Sequence, residues 1–305
     1  MPSRKRVKQL ALWLVVAALI SSPFVLSLVQ RQGSRGEKPS PTQLMARAAM
    51  YANESLYALT DALSLSKPDA PTLQIDAQGA RNVSETLVAE AADMPVTGFA
   101  GLIRRAMISY AELANASAPA MLAAPRLYRG FVGAEKALQA LESCNVEDYL
   151  AKYGKARNEL LRAESGLREA LDTLADMNTS LLLSPLHEEV AQNLSIAVAK
   201  SVAAIIELEN LYKIVANHSD VIKALCSGKK VGKQELLPLL RALAKLHPGR
   251  AGPLGYDEAE AIAKLTALAQ IGGKRGHQGS GVSNGSSGQG GGGTGAGYRK
   301  PSSDD

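Results

Sequence analysis

The stretch LLLSPLHEEV, residues 181–190, decides how the second half of the chain folds. Ser184 followed by Pro185 is typical of a helix start, with serine as the N-cap and proline as the first helical residue. Because apolar repeats run on both sides of this pair, there are two interpretations: one long helix kinked at Pro185, or an antiparallel hairpin. The hairpin is favoured, since each apolar seam then covers the other and removes it from water.

Both repeats have alternating spacings of three and four residues, as in a coiled-coil seam. The rows before the turn are Val146, Tyr153, Leu160, Leu167, Leu174, Leu181 and Tyr149, Ala156, Ala163, Ala170, Met177. The alanines of the second row predict that a partner helix approaches closely. The rows after the turn are Val190, Ala197, Ala204, Leu211, His218, Leu225 and Leu194, Ser201, Leu208, Val215, Ile222, and Gly228 is placed to end the helix.

The only two cysteines discriminate between the long kinked helix and the hairpin. Cys144 lies 41 residues before Pro185 and Cys226 lies 41 residues after it. A continuous helix would separate them by roughly 120 Å, whereas a disulfide needs Cα atoms about 4.4–6.8 Å apart. We therefore expect a disulfide at the base of a hairpin about 55 Å long, formed by residues 146–183 and 185–227. Two unrelated thiols are the alternative. A disulfide implies an oxidising compartment.

The N-terminal region predicts a membrane anchor. Twenty residues from Leu10 to Val29 carry no charge, which is enough to cross a bilayer once. Four basic residues lie in the first eight positions, so residues 1–9 are expected in the cytoplasm and 10–30 in the membrane. The alternative is a cleaved signal peptide and a secreted product, although the apolar core of such a peptide is usually shorter.

Asparagine sequons support export of the rest of the chain. Ten asparagines, with serine or threonine at 35 of 305 positions, would give about one Asn-x-Ser/Thr by chance. Seven are present, all after the apolar segment: Asn53, Asn82, Asn115, Asn178, Asn193, Asn217 and Asn284. Because Asn193 falls at the edge of the apolar sector of its helix, it is the least secure of these sites. We predict N-glycosylation, which favours a eukaryotic or archaeal source.

The remaining segments read as shorter helices and loops. Residues 31–40 form a polar linker, and Ser40 with Gln43 resembles a capping box. About four helices are expected within 41–143, at 41–65, 72–92, 98–116 and 119–142. Two short helices are expected within 229–271, the second opened by a capping box of Asp257 and Glu260. From Gly272 onward 13 of 34 residues are glycine, which predicts a disordered tail over 272–305.

Residues with catalytic chemistry are sparse, and we predict no enzyme, no catalytic, cofactor-binding or metal-binding residue and no cofactor. His187, expected in solvent near the hairpin tip, and His218, expected to be partly buried, lie too far apart on one helix to share a metal. The carboxylate pairs Glu188–Glu189 and Glu258/Glu260 lie at helix starts, where they complement the helix dipole. The run GQGGGGTGAG follows no strand and lacks the lysine of a phosphate-binding loop.

The sequence thus predicts an all-α protein with an N-terminal transmembrane helix and an extracytoplasmic helical bundle. Its expected partners are the lipid bilayer and another protein or a second copy, with a structural or interaction role at the surface of the cell membrane. Nucleic acid is not an expected partner, because net charge falls from +5 to +1 without the N-terminal basic cluster. No small-molecule ligand is identified. The alternatives are a sensor ectodomain or an accessory subunit of a membrane complex.

Overall fold

The computed structural model describes residues 38–277, and every regular element within that range is a helix. The all-α prediction is therefore confirmed for these residues. The helices are α1 (Pro41–Leu63), α2 (Ala70–Ala92), α3 (Gly98–Glu142), α4 (Val146–Asp176), α5 (Pro185–Asn217), α6 (Ser219–Cys226), α7 (Lys233–Leu243) and α8 (Gly255–His277), with 3₁₀ turns at Thr179–Leu181, Pro248–Arg250 and Gly252–Leu254.

The predicted cytoplasmic stub, the transmembrane segment 10–30, most of the linker 31–40 and the tail beyond residue 277 lie outside the described residues. Within residues 38–277, no helix combines the length and the apolar character needed to cross a membrane.

Helix α3 is the central element, with 45 residues and a length of about 65 Å. The prediction of separate helices at 98–116 and 119–142 is wrong, because α3 continues through Pro119 and Pro125. Each proline removes a helical hydrogen bond and costs about 3 kcal/mol. Both prolines are buried, and packing against the surrounding helices offsets that cost. The region 41–143 therefore contains three helices instead of four.

Helices α1 and α2 cover the N-terminal half of α3. The capping box at Ser40 is confirmed, since its N–H donates to Gln43 Oε1 (2.9 Å) and its Oγ accepts from the Gln43 N–H (3.4 Å). Ser55 Oγ donates to the carbonyl of Ser117 (2.9 Å), and Arg104 Nε donates to the carbonyl of Ala91 (3.0 Å). Short connections join α1 to α2 and α2 to α3, and all three helices pack against one another, so α2 runs antiparallel to α3 and α1 runs parallel to it.

The alanine row of α4 packs against α3. A Cβ added to Gly133 of α3 would lie 2.8 Å from Ala156 Cβ, so only glycine permits this spacing of the two helices. Every member of the four predicted rows is buried except Leu181 and His218, which are half-buried. The expectation that the seams of α4 and α5 mainly cover each other is wrong, since α4 packs more extensively against α3 than against α5.

The chain does reverse between α4 and α5, as predicted, but the turn is longer than one Ser-Pro pair. Helix α4 ends at Asp176, and Asn178 Oδ1 then accepts from the Ser180 N–H (3.2 Å) and caps a short 3₁₀ turn. Pro185 is the first residue of α5, but the Ser184 side chain makes no capping hydrogen bond. The second arm is also divided, because α5 ends at Asn217 and α6 completes the path to Cys226.

Helix α8 covers the other half of α3, and α7 packs against α8 and α5. Helix α7 ends at Leu243, and α8 begins at Gly255, so Asp257 lies in the first turn of α8 and is not its cap. The last helix also continues to His277, so residues 272–277 are helical and the predicted start of the disordered tail at Gly272 is wrong there. Lys264 Nζ donates to the carbonyl of Glu142, which fixes α8 at the end of α3.

The contact between α3 and α4 gives a first prediction. Gly133→Ala should destabilise the protein by about 1–2 kcal/mol, because the added methyl meets a Cβ that is attached rigidly to the facing backbone. Gly154→Ala in α4 is the matched control, since an added Cβ meets nothing within 4 Å there. It should stabilise by about 0.5–1 kcal/mol through helix propensity. Chemical denaturation of both variants measures the difference, and equal stabilisation by both would contradict the close approach.

Candidate functional site

The densest group of polar and reactive side chains lies at the base of the hairpin, around the disulfide. Cys144 and Cys226 are bonded, with Cα atoms 5.6 Å apart, which confirms the predicted pairing. Cys144 directly follows the cap of α3 and has φ +60°, and the Asn145 N–H donates to the carbonyl of Ala140 (2.8 Å). This left-handed residue turns the chain from α3 into α4. Loop entropy predicts that the bond stabilises the fold by about 4 kcal/mol.

Three tyrosines stack beside the disulfide, between α4 and α5. The ring centroids of Tyr149 and Tyr153 are 5.9 Å apart, and those of Tyr153 and Tyr212 are 4.9 Å apart. The hydroxyls of Tyr149 and Tyr153 are buried and have no hydrogen-bond partner among the described residues. Burial raises the pKa of both phenols well above the ordinary value. They therefore stay neutral and act as packing groups.

An ion pair closes the outer side of the tyrosine stack. Arg157 Nε donates to both carboxylate oxygens of Glu209 (3.0 and 2.8 Å), and its Nη2 donates to Oε1 (2.8 Å). The guanidinium also lies 5.5 Å from the centroid of the Tyr212 ring. Bidentate geometry and a nearly buried Glu209 make this a stronger link between α4 and α5 than an ordinary surface pair.

Glu258 of α8 is the most unusual residue of the cluster. It is fully buried, and neither carboxyl oxygen has a hydrogen-bond partner among the described residues. Burial, reinforced by the negative charge of Glu207, raises the pKa of Glu258 to about 8. Glu207 is itself buried and accepts a hydrogen bond from the backbone N–H of His247. At neutral pH the Glu258 carboxyl therefore retains its proton.

This finding corrects the interpretation of the pair Glu258/Glu260 as helix-dipole partners. Glu258 does lie in the first turn of α8, but a neutral carboxyl contributes little to a charge–dipole interaction. Its neighbour Glu260 is exposed, as expected of a solvated carboxylate. The other pair, Glu188–Glu189, lies at the start of α5 as predicted, with Glu189 exposed and Glu188 half-buried.

The prediction that His187 lies in solvent is wrong, because the residue is half-buried against α3. Its Nδ1 lies 2.6 Å from the hydroxyl of Tyr110, which also accepts from the Leu183 N–H (3.1 Å). Burial lowers the pKa of His187, so the ring is neutral and Nδ1 can accept the tyrosine proton. Tyr110 thereby fixes the hairpin turn to the central helix. His218 is half-buried at the junction of α5 and α6, as predicted.

The described sequons differ in accessibility. The side chains of Asn82, Asn115, Asn178 and Asn217 are exposed, on α2, α3, the hairpin turn and the end of α5. Asn53 and Asn193 are half-buried, and Asn53 Oδ1 has no hydrogen-bond partner among the described residues. Asn284 lies outside the described range. Four positions can therefore accept a glycan without displacing packed side chains.

One groove between α2, α3 and α4 concentrates positive charge. Its volume is about 320 Å³, and it is lined by the guanidinium-bearing residues Arg81, Arg126 and Arg162, together with Glu169. All three arginines are exposed. In the part of the chain that the structure describes, none of them takes part in an ion pair with an acidic side chain. Such an arrangement suits a ligand with two or more negative charges.

Metal chemistry finds no support within residues 38–277, where no three histidine, cysteine or acidic side chains are placed to hold an ion. Comparison with protein-family models, with curated proteins and with solved structures found no match.

The buried carboxyl gives a prediction on pH. Unfolded glutamate has a pKa of about 4.3, so between about pH 4.3 and 8 unfolding releases a proton and stability falls as pH rises. Glu258→Gln removes the titrating group, and at pH 9 the variant should be more stable than the native chain by roughly 5 kcal/mol. Its denaturation free energy should then vary less between pH 5 and pH 9.

Glu260→Gln is the matched control, since Glu260 lies in the same helix and is exposed. This variant should keep the pH dependence of the native chain. If Glu258→Gln and Glu260→Gln followed the same pH profile, Glu258 would be ionised normally and the assignment of a buried neutral acid would be wrong.

Proposed function

We propose that this protein is a membrane-anchored, extracytoplasmic glycoprotein whose helical bundle has a structural or protein-interaction role at the cell surface. The observation that carries the proposal is the disulfide between Cys144 and Cys226, which closes a separation of 82 residues at the base of the hairpin. Persistent disulfides belong to oxidising compartments. The uncharged segment Leu10–Val29, with basic residues before it, supplies the predicted anchor.

The distribution of sequons supports the same compartment. All seven follow the apolar segment in sequence, and four of the six described ones are exposed on separate parts of the bundle surface. Glycans at these positions would leave the α3–α4 contact undisturbed. They would also leave undisturbed the cluster at the base of the hairpin, which comprises the disulfide, the three stacked tyrosines, the Arg157–Glu209 ion pair and Glu258. The described surface they leave free is then available for a protein partner.

The cluster at the base of the hairpin favours a structural role over catalysis. Its acid, Glu258, is fully buried beneath α8, and its tyrosines are packed between α4 and α5. A general acid must reach its substrate within hydrogen-bonding distance. The described geometry gives a substrate no path to Glu258 without displacement of α8. The cluster is better suited to holding the arms of the hairpin together.

Intact-protein mass spectrometry of chain isolated from its own membranes tests this proposal. We expect a mass above that of the polypeptide, a decrease on treatment with peptide-N-glycosidase, and a gain of two hydrogens on reduction. Asn82→Gln and Asn217→Gln should each remove one glycan. A glycan-free chain with both thiols reduced would refute extracytoplasmic residence, and recovery only from the soluble fraction would refute the anchor.

The second candidate is a sensor ectodomain that binds an anionic ligand and acts through a membrane partner. The groove of Arg81, Arg126 and Arg162 favours it, because three cationic side chains from three helices surround one depression. A ligand that bridges α2, α3 and α4 would favour one arrangement of these helices over others. Arginine forks bind carboxylate and phosphate groups in a bidentate geometry.

Thermal denaturation with citrate, inorganic phosphate and sulfate tests the groove. A ligand that binds the folded state at about 100 times its Kd adds about 2.7 kcal/mol of stability, so the midpoint should rise and then saturate. Arg162→Gln should abolish the rise, whereas Arg241→Gln on α7 should leave it intact. No saturable shift with any of the three anions, or an equal loss in both variants, would exclude the groove as their binding site.

A further inference from the structure

The turn between α2 and α3 presents an exposed apolar tip, which we define as Val96, Phe99 and Leu102. Their side chains are 67%, 77% and 48% exposed. A phenylalanine that leaves most of its surface in water loses the favourable free energy of burial. Three such residues within one turn form a small patch at the extreme end of the bundle, which indicates a contact surface.

The local backbone holds this tip in a defined conformation. Gly98 has φ +67°, which residues with a side chain rarely adopt, and a Cβ added to Gly101 would lie 2.4 Å from the carbonyl oxygen of Val96. The hydrogen bond from Arg104 Nε to the carbonyl of Ala91 ties the start of α3 to the end of α2. The apolar side chains are therefore presented by a turn of defined backbone geometry.

The tip lies at the end of the bundle where the N-terminal segment enters. Helix α1 runs parallel to α3 with Ser55 beside Ser117, so the start of α1 at Pro41 lies within about one helical turn of Ile103. Phe99 projects about 6 Å beyond that level. The tip therefore lies at the same end of the bundle as the start of α1, which is the end from which a membrane anchor would arrive.

The length of chain before α1 limits how far the tip can lie from a bilayer. Eleven residues separate Val29 from Pro41, so these two positions lie at most about 40 Å apart along an extended chain. A bundle attached by this linker therefore keeps the tip within reach of the lipid headgroups. Arg105, which is exposed on the first turns of α3, can pair with a lipid phosphate beside the tip.

We propose that the tip inserts into the interfacial layer of the lipid bilayer and orients the bundle upright on the membrane. This proposal rests on the proposed membrane anchoring. A partially exposed aromatic ring flanked by aliphatic and basic side chains matches the apolar and charged layers of a membrane interface. The single anchor fixes only one point of the molecule, and the tip supplies the second contact that limits tilting.

The full-length chain reconstituted into vesicles can test the tip with one fluorophore. Trp13 is the only tryptophan, so Trp13→Phe removes the native signal and Phe99→Trp places a reporter at the tip. The matched control is Tyr256→Trp, because Tyr256 is 78% exposed and lies at the start of α8, away from the tip. The vesicles contain phosphatidylcholine with a minor fraction of phosphatidylglycerol, with and without bromination of the acyl chains.

We expect the emission of the Phe99→Trp variant to shift to shorter wavelength and to fall by about half in brominated vesicles, while the emission of the Tyr256→Trp variant is unchanged. Vesicle flotation distinguishes a failure of the tip proposal from a failure of the anchor proposal. If the chain floats but the tip reporter is quenched no more than the control reporter, the tip proposal is overturned and the anchor stands. Equal strong quenching of both reporters would show a bundle lying flat and would also overturn it. A chain that does not float refutes the anchor and the tip together.

Discussion

The close approach of α3 and α4 is the constraint on which the other helix contacts depend. Gly133 faces Ala156 at a distance that admits no additional methyl group, and Gly166 of α4 lies against the backbone of Pro119. Small side chains allow the two long helices to approach closely. Many close atomic contacts then stabilise the interface in place of the burial of a few large side chains. Because α3 is one continuous helix, its two ends remain available for α1 and α2 on one side and α8 on the other.

The sequence specified the hairpin through local signals, and it could not specify the partner of each seam. The positions of Cys144 and Cys226 around Pro185 predicted the reversal, and the apolar rows predicted which residues are buried. The alanine row predicted a close neighbour, but its identity depended on helix α3 remaining intact. Pro119 and Pro125 are local signals for a helix end, and tertiary packing overrides them. That competition cannot be settled from the residues of α3 alone.

The sequence does not predict the cluster at the base of the hairpin, for a related reason. Glu258 was assigned by its place at a helix start, yet it also lies on a row with Leu254, Ala261 and Leu265 at helical spacing, and all four are buried. The row is a signal for burial that can be read from the sequence, and the helix-dipole argument is the weaker of the two. Tyr110 carried no comparable signal, because its hydrogen bond to His187 joins residues 77 positions apart. Such contacts arise only when the hairpin turn is placed on α3.

The two ends of the bundle therefore have different chemistry. The start of α1 and the apolar tip share one end, whereas the disulfide and the tyrosine stack lie toward the other, about 65 Å away along α3. Helix α8 starts beside Gly252, which packs near Leu63 and Ala204 in the middle of the bundle, and proceeds toward Glu142 at the base. In the proposed upright orientation, the C-terminal end of α8 at His277 consequently lies on the side of the bundle away from the membrane. A partner that contacts this end of the bundle would be held at a distance from the bilayer, which is the geometry that a helical hairpin fastened at its base by a disulfide provides.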